Sequence, residues 1–208
     1  MKGVFITFEG PDGAGKTTQL NLLAAYLKKE GYKVLSTREP GGTPLAEGIR
    51  SLLLSPWGEE IYGLTEVFLY AASRVQHVRE KILPALAEGK IVLCDRFTDS
   101  TLAYQGYGRG MELEFLHRLN HLATGGLKPA LTLLLDLPPE EGLRRGKKGK
   151  EGMVRDRLEE EDLDFHHRVR EGFLDLARQE PERIKIIDAR QPVEKVFAEV
   201  LAAVTPWL

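Results

Sequence analysis

The chain has a single cysteine, Cys94, among 208 residues, so no internal disulfide can form. Cys94 closes the apolar run Ile91-Val92-Leu93-Cys94, where a buried, inert thiol is expected and a reducing compartment fits. No apolar run approaches the ~18 residues of a membrane span. The N-terminus passes from Lys2 straight into a short strand pattern without a signal-peptide core. These absences read as a cytoplasmic protein. An excess of basic charge is also missing: 29 Lys and Arg stand against 31 Asp and Glu, a net charge of −2, which argues against a basic nucleic-acid-binding surface. Internal repeats and low-complexity linkers are absent. With 42% hydrophobic and 29% charged residues, the composition suits one α/β domain spanning residues 1–208.

What stands out is Gly10-Pro11-Asp12-Gly13-Ala14-Gly15-Lys16-Thr17-Thr18. It lies between the apolar run Val4-Phe5-Ile6-Thr7-Phe8 and a helical run from Leu20 to Lys29. A glycine loop joining a strand to a helix N-terminus is the setting of a phosphate-binding P-loop. The glycines let backbone N–H groups turn inward, and the helix dipole adds to the anion site. Lys16 is expected on the β and γ phosphates of a nucleotide, and Thr17 on a bridging Mg²⁺.

Strand and helix patterns alternate along the rest of the chain. Lys33–Thr37, Ile91–Cys94, Leu131–Leu135 and Ile184–Asp188 read as strands. Helices are expected over Pro44–Leu54, about Leu64–Leu86, Leu113–Ala123, about Glu160–Gln179 and Pro192–Val204, with a short one after Pro138-Pro139. Continuous apolar runs suit parallel strands buried on both faces. The order predicts a doubly wound, parallel, five-stranded sheet flanked by helices. Thr98 to Gly110, polar and glycine-rich, reads as a loop. The histidines His166 and His167 are adjacent and point about 100° apart on a helix, so they cannot chelate one ion as an i,i+4 pair would, and both are expected at the surface.

Asp95 and Asp136 each follow an apolar run, as an acidic residue does when it holds Mg²⁺ or water opposite a P-loop. Arg96 beside Asp95 favours Asp95 as the metal-side carboxylate. Asp12, inside the P-loop, needs a cation, a metal or a hydroxyl to stand near phosphates, and is read as a substrate or metal contact. Between Arg144 and Arg157, seven of fourteen residues are basic and three are glycine. In a P-loop enzyme such a stretch reads as a mobile lid that brings positive charge over the transferring group and excludes water.

Four segments in order resemble the bacterial thymidylate kinases: Phe8 to Thr18, Thr37-Arg38-Glu39-Pro40-Gly41-Gly42-Thr43, Tyr70-Ala71-Ala72-Ser73-Arg74, and Asp95-Arg96-Phe97 through Ala103-Tyr104-Gln105-Gly106. The resemblance covers nearly the whole chain. It implies a P-loop nucleoside-monophosphate kinase that transfers the γ-phosphoryl group of ATP to dTMP with Mg²⁺, in a homodimer packed through helices. It places the thymine ring against Tyr70, where the family more often has phenylalanine, with Arg74 donating to the base. Arg50 and Arg96 match the arginines on the acceptor phosphate, Thr101 and Gln105 the polar contacts to the base, and Tyr104 the ring that crowds the sugar. Asp12 and Glu39 line the sugar side, and Asp188 to Pro192 match the adenine end. One branch of the family has a basic residue where this chain has Gly13, so the missing charge is expected from the lid, from Arg155 or Arg157 first and Arg145 next. A kinase for another nucleoside monophosphate or for a deoxynucleoside is the nearest rival reading. A P-loop switch is disfavoured, because neither D-x-x-G nor N-K-x-D follows the P-loop.

Overall fold

The computed structural model describes residues 3–54, 61–149, 157–158 and 160–208. Five strands, β1 (Val4–Glu9), β2 (Val34–Arg38), β3 (Ile91–Asp95), β4 (Leu131–Asp136) and β5 (Ile184–Asp188), form one sheet in the order β2-β3-β1-β4-β5. Every neighbouring pair is parallel. The runs of β1, β3 and β4 were legible because both faces are covered. Ile6 and Phe8 of β1 join Leu131 and Leu133 of β4 under α1 (Lys16–Lys29) and the C-terminal helix Val193–Val204. Phe5, Val92 and Cys94 face the opposite side, beneath the helix that follows α2 (Pro44–Leu54). That helix begins as α3 (Gly63–His77), widens into a π-turn at Val78–Ile82 and ends as α4 (Leu83–Ala87), near the expected 64–86. The buried Cys94 thiol is pushed well above its ordinary pKa, chiefly by burial, as an inert core cysteine should be.

From β1 the chain crosses to β2 on one side, and from β3 it crosses to β4 on the other. The strand order therefore reverses beside β1, and the crevice at the C-terminal ends of β1 and β3 is where an open parallel sheet holds a ligand. The P-loop and Asp95-Arg96 both lie there.

Three expectations need correction. Thr98 to Gly110 is not an open loop: α5 (Thr98–Thr101) runs into a π-helix at Leu102–Gly108. Its polar residues Asp99, Ser100, Thr101 and Gln105 are buried and bonded to distant parts of the chain, so no amphipathic period marks it as helix. The short helix after Pro138 is α7 (Pro139–Gly149), which takes in the first six residues of the basic stretch. Arg144 and Arg145 both bond Glu141 one turn back, which favours continued helix. Arg155 and the rest of 150–156 lie outside the described residues. After α6 (Leu113–Thr124) and β4, the long helix α8 covers Leu163–Gln179 and α9 Val193–Val204. On α8 the two histidines do diverge, but only His167 is exposed, paired with Glu140. His166 is buried with its ring edge-on to Phe165, because the 100° step between neighbours turns one of them into the core. No helix among the described residues is long and apolar enough to cross a membrane.

Candidate active site

A cleft of about 990 Å³ runs from the P-loop to the π-helix after α5 and is closed at one end by Arg145 and Gly146 of α7. The P-loop begins at Gly10, with φ +132°, and a Cβ there would strike the Leu135 carbonyl. Only glycine fits between β1 and β4 at that point. The loop then delivers Lys16 to the first turn of α1, almost fully buried, with its ammonium donating to the Pro11 carbonyl at 2.7 Å. Burial first, and then the charge of Arg96, pull the Lys16 pKa down to about 8 against the opposing pull of Asp12, Asp95 and Glu9. A phosphate placed in the loop would restore full protonation.

Thr17 donates its hydroxyl to the Asp95 carboxylate at 2.5 Å. Asp136, the other strand-end carboxylate, is held by two bonds of 2.8 Å from Arg170 of α8. The two were formally alike in sequence. In space one faces the P-loop threonine and the other is neutralised by a helix. Among the described residues no group of three His, Cys, Asp or Glu forms a metal cluster. A divalent ion at Thr17 and Asp95 would need phosphate and water oxygens to complete its shell, which is how Mg²⁺ is ordinarily held in phosphoryl-transfer sites.

Arg96 follows with φ +70°, the one non-glycine positive φ among the described residues. Its guanidinium donates to Asp12 at 2.5 Å, to the Gly10 carbonyl at 2.9 Å and to the Tyr104 hydroxyl at 3.1 Å, and lies 5.0 Å over the Tyr104 ring. The Tyr104 hydroxyl in turn donates to Asp12 at 3.0 Å. Burial opposes ionisation of Asp12, but Arg96 and Lys16 more than offset it and hold the carboxyl far below the usual carboxylate range. Burial and the neighbouring Asp12 push Tyr104 up, so it remains a neutral hydroxyl. Asp12, Arg96 and Tyr104 thus form one triangle at the mouth of the P-loop.

Beyond it, Tyr70 and Arg50 line the cleft, and Arg50 donates to the Pro40 carbonyl at 2.9 Å. Arg74 is 2% exposed. It donates to Glu39 at 2.7 Å, Thr101 at 2.9 Å, Asn120 at 2.7 Å and the Phe97 carbonyl at 3.1 Å. Those bonds use four of the five N–H groups of a guanidinium. Glu39 is shared with His77, whose other ring nitrogen meets Thr37 at 2.7 Å. Burial raises the cost of the Glu39 charge, and Arg74 and His77 still hold its pKa below the ordinary value. Thr101 and Gln105 both border the cleft, and Gln105 donates to Glu66 at 2.8 Å.

The basic residues fall into different places. Arg145 borders the cleft and donates to the Ala189 carbonyl at 2.9 Å, beside the segment Asp188 to Pro192. Arg157 lies away from the cleft lining and pairs with the fully buried Glu66, which also takes two bonds from Arg109. Reading the residues in sequence missed Glu9, Ser100, Asn120 and Glu66. The available signal was a carboxylate inside an apolar strand or helix pattern, at Glu9 and Glu66, where a charge has to find partners.

Comparison with known proteins decides the family. The thymidylate kinase family model matches residues 8–200. The chain belongs to the thymidylate kinase family. A thymidylate kinase of Synechococcus sp. strain JA-3-3Ab is 56% identical over 205 residues, covering 99% of this chain and 97% of its relative. One from Deinococcus radiodurans is 54% identical over 204 residues, covering 98% and 97%. The crystal structure of thymidylate kinase from Ehrlichia chaffeensis superposes with a TM-score of 0.81 at 38% identity, covering 99% of both chains. The matched range takes in the P-loop and the helical segment from Thr98 to Gly108.

Proposed function

We propose that this chain, as a member of the thymidylate kinase family, transfers the γ-phosphoryl group of ATP to dTMP, giving dTDP for dTTP synthesis. The observation that carries the reading is the continuity of one cleft: a P-loop with Lys16 and Thr17 opens onto a pocket walled by Tyr70, Arg74 and Tyr104. Donor phosphates in the loop and the phosphate of a nucleotide whose base lies against Tyr70 would meet at Arg96. An oxygen of the acceptor phosphate, already ionised, attacks the γ-phosphorus. The bond to the β–γ bridging oxygen breaks, and its electrons leave with ADP, so no general base is required. Lys16 and Arg96 offset charge on the two phosphates as they approach. Thr17 and Asp95, together with phosphate oxygens, would hold Mg²⁺, which would further neutralise the donor phosphates. Asp12 and Tyr104, bonded to each other, both hold the Nη2 of Arg96. The remaining Nη2–H of Arg74 is the donor for an acceptor oxygen on the base, and its other bonds fix its direction.

Formation of ADP from ATP in the presence of dTMP, read in a coupled assay, tests this. dUMP, lacking one methyl, should be weakened by roughly 10- to 200-fold in kcat/KM. Equal use of dTMP and dCMP would overturn the base assignment. A homodimer is part of the same proposal. Leu64, Phe68 and Val75 are exposed along α3, which packs against α6, where Leu122 is exposed too, and an apolar face of that kind marks an association surface. Sedimentation should show a dimer that Phe68→Glu converts to monomer.

A further inference from the structure

Glu9 ends β1 immediately before the P-loop and is completely buried. Its two oxygens serve the turn that leads from β3 into α5. Oε1 accepts the backbone N–H of Phe97 at 2.7 Å, and Oε2 accepts the Ser100 hydroxyl at 2.5 Å. The Ser100 oxygen accepts in turn from Arg96 Nη1 at 3.2 Å. The same strand end offers the Phe8 carbonyl to the Arg96 N–H and the Gly10 carbonyl to its guanidinium, both at 2.9 Å. Three consecutive residues, Phe8 and Glu9 of β1 and Gly10 just after it, thus hold Arg96 from its backbone to its side chain. Arg96 needs this, because its left-handed φ is one that a non-glycine residue keeps only when its surroundings over-determine it.

We propose that Glu9 is the positioning residue for Arg96: its carboxylate pins the turn at Phe97 and, through Ser100, aims the guanidinium at the acceptor phosphate. The proposal rests on the reading of Arg96 given above. A buried carboxylate whose direct partners are neutral donors is a costly way to fill space, and here that cost falls at the one strained non-glycine turn in the cleft. Burial and the nearby Asp99 raise the Glu9 pKa to about 7, against the lowering effect of Ser100, Arg96 and Phe97.

The test uses the full-length protein and three variants, Glu9→Gln, Ser100→Ala and Arg96→Ala, with KM for dTMP and for ATP measured separately and dTMP binding followed by calorimetry. Misaiming a clamp by about 1 Å costs on the order of 10²-fold, so Glu9→Gln should lower kcat/KM for dTMP by about 10- to 100-fold. KM for ATP should stay within about twofold. Ser100→Ala, which breaks only the hydroxyl link, should move dTMP parameters in the same direction and serves if Glu9→Gln does not fold. In the Arg96→Ala background, Glu9→Gln should add little, since its effect passes through the arginine. Losses that add fully, or that fall equally on ATP and dTMP, overturn the proposal and leave Glu9 a structural residue. Wild-type dTMP kinetics in Arg96→Ala would instead overturn the role of Arg96 itself, whereas a lost dTMP affinity in Arg96→Ala beside unchanged Glu9→Gln and Ser100→Ala sinks the proposal alone.

Discussion

Gly13 of the P-loop and Gly142 of α7 meet backbone to backbone. A Cβ on Gly13, which has φ +76°, would strike the Gly142 carbonyl and lie 2.9 Å from its Cα, and a Cβ on Gly142 would strike the Asp12 carbonyl. The position where one branch of the family carries a basic residue is therefore closed here by the first turns of the helix that leads into the basic stretch. Gly142→Ala should force the P-loop and α7 apart. We expect about 1 to 3 kcal/mol of destabilisation from overpacking, visible as a lower melting temperature, together with a raised KM for ATP. Gly13→Arg should be worse, because the left-handed backbone adds its own penalty of about 1 to 2 kcal/mol. Wild-type melting and ATP kinetics in Gly142→Ala would mean that the two elements separate without cost.

Arg74 behaves as a structural cation as much as a ligand contact. Removing it leaves the buried Glu39 carboxylate and the Asn120 oxygen without their main partner. Breaking one side of a buried ion pair costs about 3 to 5 kcal/mol, so Arg74→Ala should lose that much stability in denaturant titrations in addition to losing dTMP turnover. Glu39→Gln in the same chain should recover part of the stability and none of the turnover. An Arg74→Ala variant of unchanged stability would show that the pair with Glu39 contributes nothing net.

The central strands β1, β3 and β4 could be read from sequence because each is a nearly continuous apolar run, and the P-loop because its spacing carries its own mechanism. The choice between Asp95 and Asp136 needed the third dimension: Thr17 is 78 residues from Asp95 in the chain and 2.5 Å away in space. The helix from Thr98 through Gly108 was invisible for a related reason. Its polar side chains are satisfied by Glu9, Arg74, Arg183 and Glu66, so it lacks the exposed face that periodicity detects. The basic run put Arg155 and Arg157 ahead of Arg145, and nothing in it shows that Arg157 pairs with the buried Glu66.

A raised carboxyl has a definite consequence for stability. Glu9 titrates near 7 in the folded protein and at about 4.5 when unfolded. Between those values the folded state binds more protons than the unfolded one, so stability falls as pH rises through the window. Asp12, Glu39 and Glu66 are shifted the other way, and their contributions are lost only as pH falls below the ordinary carboxylate range. The window from about 4.5 to 7 is therefore where Glu9 acts. Unfolding free energies measured at pH 5 and pH 8 should differ between wild type and Glu9→Gln by on the order of a few kcal/mol, with the variant losing less as pH rises. Parallel pH profiles for the two proteins would show that Glu9 is not protonated in this range.

The cations around the transferring group differ in how firmly they are held, and that difference orders their effects. Lys16 and Arg96 are fixed by short bonds to the P-loop backbone and to Asp12. Removing a preorganised donor of this kind costs on the order of 10² to 10³ in rate, so Lys16→Ala and Arg96→Ala should each lose at least that in kcat while retaining their circular dichroism. Arg145 reaches the cleft from α7 with one bond to Ala189 and an exposed pair with Glu141. Its replacement by alanine should lower single-turnover phosphoryl transfer and leave dTMP binding unchanged, because it borders the end of the cleft nearest Ala189 and not the triangle at Arg96. Arg157 is bound to buried Glu66, so Arg157→Ala should appear first as lost stability, with Glu66→Gln offsetting part of it. A rate loss in Arg157→Ala larger than in Arg145→Ala, at unchanged stability, would mean that Arg157 leaves Glu66 during turnover and that the catalytic cation comes from the far end of the basic stretch.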